Sequence, residues 1–173
     1  LAGGYGTRIS AITKGRSKVL MPVAGRPVVE YVVDTVNTVD DVDEIVLVTN
    51  DRYYQDFCEW SDGYDHEGRL TVINDHTNSN QDRLGAVGDV IFAVETGQIN
   101  DDLLVVAGDN ICDFDLKAMR MKAKTSGSTI ALYDVGSVEE AKKFSNVEMD
   151  KEGRIVKFVE KPEAPEDSLV AVA

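Results

Sequence analysis

The stretch Pro27-Val-Val-Glu-Tyr-Val-Val-Asp-Thr-Val36, with Glu44-Ile-Val-Leu-Val-Thr49 behind it, decides the fold class. In the first segment apolar residues recur at three- and four-residue steps behind a proline suited to a first helical turn, which predicts a helix. The second is a short β-branched run and predicts a buried strand. The alternation continues in both directions. Asn50 is placed to cap a helix through about Ser61, Leu70-Thr-Val-Ile73 reads as a strand, and the stretch from about Asn80 to Val94 has helical periodicity. Leu103-Leu-Val-Val-Ala107 is the most hydrophobic strand expected. Further on, Asp115 is expected to cap a helix through about Lys124, Thr129-Ile-Ala-Leu-Tyr133 is a strand, and Ser137 caps a short helix. Val147-Glu-Met and Ile155-Val-Lys-Phe-Val159 flank the turn Asp150-Lys-Glu-Gly153. Strands alternating with helices predict an α/β fold of three layers, a mostly parallel central sheet between helical layers.

The chain has 173 residues, 43% of them hydrophobic, which is enough for one core, and a single domain over 1–173 is expected. Leu1-Ala2 resembles the end of a buried strand and Leu169-Val-Ala-Val-Ala173 the start of another, so the domain is expected to be incomplete at both ends. The acidic run Pro162-Glu-Ala-Pro-Glu-Asp167 reads as a surface loop. No apolar run reaches the roughly 20 residues that span a bilayer, so no membrane contact is expected and a cytoplasmic protein is the default. Cys58 and Cys112 form no CxxC pair, and His66 and His76 complete no metal-ligand spacing; the cysteines read as buried free thiols.

A formal charge of −13 argues against nucleic acid as a partner, since phosphate backbones are bound by a basic face. The same charge repels small anions, so any phosphate site must be built locally from backbone amides and a few cations. Gly3-Gly-Tyr-Gly-Thr-Arg8 offers both. Three glycines in four positions let successive N–H groups turn towards one centre, as in a phosphate-binding nest. A dinucleotide fingerprint fails because Ile9 stands where the third glycine belongs, and the Gly-Lys-Ser/Thr ending of a Walker loop is missing. Taken alone, the cluster is equally an ordinary tight turn. Lys18 in Ser17-Lys-Val-Leu-Met-Pro22, taken alone, is equally a solvated lysine. Gly108-Asp109-Asn110 places a carboxylate at the carboxyl end of an expected central strand, where open α/β sheets bind ligands, although the same residues suit a plain turn. Asp113-Phe-Asp115 has the D-x-D form of some glycosyltransferase metal sites, but Asp115 is better explained as a helix cap.

Taken together, the glycine loop with Arg8, Lys18 before an apolar stretch and Pro22, Gly108-Asp109-Asn110 and Glu160-Lys161-Pro162 resemble, in order and approximate separation, the motifs of the sugar-phosphate nucleotidyltransferases or NDP-sugar pyrophosphorylases, the family containing glucose-1-phosphate thymidylyltransferase. The resemblance implies a Rossmann-like nucleotidyltransferase fold. It also implies an enzyme that transfers a nucleoside monophosphate from a nucleoside triphosphate, dTTP or UTP favoured, to a sugar 1-phosphate, releasing pyrophosphate. By the same resemblance, Leu1, Ala2, Gly3, Gly4, Gly6, Thr7 and Arg8 wrap the nucleotide, Arg8 and Lys18 act on its phosphates, and Asp109 binds Mg2+. Glu160 contacts the sugar hydroxyls and Lys161 the sugar phosphate. Asn74 and Gly85 take the places of base-reading residues, Asn74 where the better-studied thymidylyl enzymes carry a longer glutamine. The chain departs from the pattern at Ser145, where the family commonly has a glycine against the sugar, so the hexose is left open. Two other classes stay open on the sequence: a cytidylyltransferase acting on a non-sugar phosphate such as phosphocholine, and a sugar-nucleotide-binding regulatory protein without turnover. A homo-oligomer is also left open.

Overall fold

The computed structural model describes residues 1–7, 10–65 and 69–172. They form two compact units, Leu1–Leu116 and Lys117–Ala173.

In the first unit the strands β3 (Ile45–Thr49) and β4 (Leu70–Asn74) pair in parallel, with Leu47 opposite Val72. The ladder continues on the other side of β3. Ala2 N donates to Val48 O at 2.8 Å, Leu1 N to Val106 O at 2.7 Å, and Gly108 N to Leu1 O at 2.8 Å. The last two bonds bracket one residue, the parallel pattern, so the order runs 106–108, 1–2, β3, β4. The helices are α1 (Ser10–Thr13), α2 (Val28–Asn37), α3 (Tyr54–Gly63) and α4 (Gly85–Gly97), and a single 3-10 turn spans Lys18–Leu20. Helix α2 buries Val29, Val32, Val33 and Val36, the i, i+3, i+4, i+7 stripe that its sequence shows. Val29 and Val33 join Ala2, Val19, Leu47, Tyr53, Phe57 and Leu70 in one core cluster. Full burial of a side chain of this size contributes roughly 1.5–3 kcal/mol.

Several expectations shift. Helix α3 starts at Tyr54 with Tyr53 in the cap position and no side-chain cap; Asn50 instead accepts from Tyr53 N at 3.2 Å, closing the turn before the helix. Helix α4 begins only at Gly85, because the carboxylate of Asp82 accepts from the N–H groups of Asn78 and Ser79 and holds that part of the loop as a turn. Leu103–Ala107 is extended but forms no ladder strand. Its ladder bonds among the described residues, at Val106 and Gly108, go to Leu1 alone, and Leu103, Leu104 and Val105 are exposed. Cys58 and Cys112 are free thiols, as read, but only half-buried. The unexpected element is a hairpin, β1 (Pro22–Val23) with β2 (Arg26–Pro27), closed by Ala24 and Gly25 at φ +49° and +89°. Two positive-φ residues make the turn that matches strand twist, and alanine in the first position hides it from a reader looking for Asn-Gly.

In the second unit, α5 (Leu116–Ser126, begun in the first) leads to an antiparallel sheet ordered β5 (Ala131–Asp134), β8 (Leu169–Val172), β6 (Ser145–Met149), β7 (Ile155–Glu160). The short helix α6 (Val138–Ala141) is capped as expected, Ser137 Oγ accepting from Glu140 N at 3.2 Å. Strands β6 and β7 form the expected hairpin, closed by Asp150 accepting from the N–H groups of Glu152 and Arg154. The buried Asn146 donates to Asp167 O, Asp167 Oδ1 and Leu169 O, fixing the acidic loop against β6.

Candidate active site

The glycine loop leaves the ladder at Ala2 and is held from beneath. Asn50 Nδ2 donates to Gly3 O at 2.9 Å and Tyr53 OH to Tyr5 O at 3.2 Å. Tyr5 is buried, its hydroxyl 3.0 Å from Thr77 Oγ1, and burial raises its pKa above the ordinary phenol value. Thr77 in turn donates through N and Oγ1 to Asp75 Oδ1 at 2.7 and 2.8 Å. Gly6 has φ +59°, a conformation that side chains rarely adopt, and Thr7 beyond it is exposed. Arg8 lies outside the described residues, as does His66.

Lys18 runs along the loop: a Cβ at Gly4 would lie 3.9 Å from its Cε and one at Gly6 3.9 Å from its Cβ. Its base is fixed by the fully buried Ser17 and Val19 on either side. The Nζ donates to Asp109 Oδ2, joining residues 91 apart in sequence, and both side chains are about one-third exposed. Asp109 is delivered by Gly108, whose place no larger residue could take: a Cβ there would meet Leu1 O at 2.9 Å and Val19 Cγ1 at 3.3 Å. The first unit therefore gathers the loop glycines, Lys18 and Asp109. An exposed lysine-carboxylate pair is worth only about 0–1 kcal/mol, so it can be exchanged for stronger partners at little cost.

Asn74 ends β4 and Gly85 opens α4 with φ +76°. The Asn74 side chain is partly engaged, donating to Asp51 Oδ1 at 2.8 Å and accepting from His76 N at 2.8 Å. Glu160 ends β7 in the second unit and Lys161 follows it, both exposed, with Lys161 Nζ 3.2 Å from Glu160 Oε1. Lys161 has φ +46° before Pro162, a left-handed conformation unusual for lysine, and its N–H is tied to Phe144 O at 3.0 Å. Ser145 begins β6 opposite Glu160.

The sequence reading missed Asp75 and Asp89. Asp89 lies in α4, only 6% exposed, and a Cβ on Gly3 would be 2.9 Å from its Oδ2 and 3.5 Å from Asp75 Oδ2. Its Oδ1 has no hydrogen-bond partner among the described residues. Burial first, and repulsion from Asp75 second, push its pKa up to about 6 from 3.8. The available signal was a lone charge inside the apolar helical run Gly85-Ala-Val-Gly-Asp-Val-Ile-Phe-Ala-Val94.

For Mg2+, the donor set fits. Mg2+ takes one or two carboxylates and completes its octahedron with substrate phosphates and water, and Asp109 offers one accessible carboxylate beside the loop lysine. No group of three His, Cys, Asp or Glu residues suited to a metal occurs among the described residues. No helix among them is long and apolar enough to cross a membrane.

The structure resembles that of apo UDP-glucose pyrophosphorylase, with a TM-score of 0.77 at 22% identity over 99% of this chain and 72% of that one, which shows a shared fold. In sequence the chain is 29% identical over 169 residues to glucose-1-phosphate thymidylyltransferase of Neisseria meningitidis, covering 95% of this chain and 55% of that protein. It is 30% identical over 165 residues to mannose-1-phosphate guanylyltransferase 1 of Arabidopsis thaliana, covering 94% of this chain and 44% of that protein. The chain thus spans about half the length of these relatives. The nucleotidyl transferase family model matches residues 1–173 throughout, across the glycine loop, Lys18, Asp109 and the Glu160-Lys161 pair alike, and the chain belongs to that family.

Proposed function

We propose that the protein is a sugar 1-phosphate nucleotidyltransferase, transferring a nucleoside monophosphate from a nucleoside triphosphate to a sugar 1-phosphate with release of pyrophosphate. One observation carries the reading: Lys18 and Asp109, 91 residues apart, meet beside the glycine loop. The two compact units are read as parts of one nucleotidyltransferase domain, since the family model runs through both.

In this reading the loop from Leu1 to Arg8 wraps the triphosphate, Arg8 and Lys18 bind its phosphates, and Asn74 and Gly85 face the base. Glu160 and Lys161 take the sugar hydroxyls and the sugar phosphate. An oxygen of the sugar phosphate attacks the α-phosphorus in line, a P–O bond forms, and the bond to the β-phosphate breaks, its electron pair leaving with pyrophosphate. The attacking oxygen is already anionic at neutral pH, so the step needs no general base. Its obstacle is repulsion between anions, and the chain's contribution is positioning and charge neutralisation by Arg8, Lys18 and Lys161. Asp109 would hold Mg2+, which supplies further neutralisation of phosphate charge when bound. In taking up phosphate and metal, Lys18 and Asp109 would exchange each other for those partners.

Relatives named as a thymidylyltransferase and a guanylyltransferase both match, and Asn74, a candidate for reading the base, keeps only part of its amide free. The test is a panel of nucleoside triphosphates, dTTP, UTP, GTP and CTP among them, against hexose 1-phosphates and phosphocholine with Mg2+, read by pyrophosphate release. Release with a sugar 1-phosphate is expected. Release only with CTP and phosphocholine, or nucleotide binding with no release under any combination, overturns the proposal in favour of the two other classes.

A further inference from the structure

We propose that binding of a nucleoside triphosphate at the glycine loop is coupled to uptake of a proton by Asp89. The inference rests on the glycine loop being the nucleotide site. Asp89 and Asp75 approach Gly3 from below so closely that a single point, where a Gly3 Cβ would be, lies 2.9 Å from one Oδ2 and 3.5 Å from the other. Both side chains are more than nine-tenths buried. Asp75 uses Oδ1 to accept from Thr77, while Asp89 Oδ1 accepts from no group among the described residues. A buried carboxylate oxygen without a donor is an expensive arrangement, and the ordinary resolution is to bind a proton.

The groups facing Asp89 sharpen this. From the segment after β4 comes Asp75, whose like charge further disfavours the ionised form of Asp89. Neither Lys18 nor another described cation pairs with Asp89, since Lys18 is turned to Asp109. A triphosphate held by the loop adds several negative charges to the segment whose Gly3 lies against this pair. That field favours the neutral form of Asp89 over the ionised one, and the raised pKa of the free protein puts the change near neutrality. Linkage is reciprocal: if the nucleotide favours the protonated carboxyl, protonation favours the nucleotide, and affinity weakens by up to about tenfold per pH unit while Asp89 titrates.

The experiment is calorimetric titration of the full chain with each triphosphate and Mg2+ at pH 7, in phosphate and in Tris, whose different ionisation heats report protons exchanged. The wild type is expected to take up roughly 0.3–0.8 more protons per nucleotide than Asp89→Asn, an isosteric change that removes the charge. Between pH 6 and 8 the wild-type Kd should weaken about 3- to 10-fold more than that of Asp89→Asn. Equal uptake and equal pH dependence in the two proteins overturn the coupling while leaving nucleotide binding standing. Absence of binding by the wild type overturns the nucleotide site itself, and the coupling with it. Infrared difference spectra of the wild type need no variant: a protonated-carboxyl band that grows on nucleotide addition at pH 7.5 is expected, and its absence refutes the proposal.

Discussion

The substitution Asp89→Asn should stabilise the protein at neutral and alkaline pH, and the amount follows from the site. In the native state the carboxyl titrates near 6, against an ordinary value of 3.8, a difference of about 2 units. At about 1.4 kcal/mol per unit, ionised Asp89 costs the native state up to about 3 kcal/mol. The sign is fixed by proton counting. Between pH 3.8 and 6 the native protein binds more protons than the unfolded chain, so its stability falls as pH rises through that window and stays low above it. Asparagine carries no such penalty, but one atom of its buried amide takes the unpartnered Oδ1 place, which costs about 1–2 kcal/mol. The net gain at pH 7.5 is then about 1–2 kcal/mol, or roughly 3–6 °C in Tm for a chain of this size. Below pH 4 the aspartate is neutral in both states and the variant should be no more stable than the wild type, or less. Urea unfolding followed by circular dichroism at pH 4, 5, 6, 7 and 8 measures the whole curve. A variant no more stable than the wild type at pH 7.5, or a gain that persists unchanged to pH 4, refutes the reasoning.

Lys18→Ala and Arg8→Ala should each lower kcat/KM by about 100-fold or more, as expected for losing one preorganised charge contact, with pyrophosphate release as the assay; near-wild-type kinetics in either would remove that residue from the mechanism. Gly108→Ala should destabilise by about 2 kcal/mol or more, since its Cβ must displace backbone at Leu1 O, and because Gly108 delivers Asp109, activity should fall even at temperatures where the variant stays folded. Phe57→Ala empties the centre of the first unit's core and should cost about 3–5 kcal/mol by denaturant titration, with the far-UV spectrum at low temperature retained.

What the chain reveals before folding depends on how local the signal is. The valine stripe of α2 and the β-branched run of β3 are periodic within ten residues, and both stand where expected. Leu103-Leu-Val-Val-Ala107 shows the opposite: its composition says buried strand, but a strand is defined by its neighbours, and among the described residues Leu1 alone supplies its ladder bonds. The Ala24-Gly25 hairpin turn carried a signal too weak to notice because alanine seldom adopts positive φ. At the site, Lys18 and Asp109 were legible one by one as motif residues, and their meeting is a fact of topology. Asp89 shows in the sequence only as a lone charge in an apolar helical run; that it lies beside Gly3 together with Asp75 is set by the fold and by no local pattern.

The bonds that tie Leu1 to Val106 and Gly108 are the longest-range backbone connections among the described residues of the first unit, the first of them joining residues 105 apart. They cannot form early. Closing so long a loop is entropically unfavourable until the intervening helices and the β3–β4 pair are in place, and chains rich in such distant pairings fold slowly. The glycine loop emerges from one side of this seam and Asp109 from the other, so refolding should show secondary structure returning well before the ability to bind nucleotide. In kinetic terms the seam is a clock: recovery of nucleotide binding after dilution from denaturant times its closure.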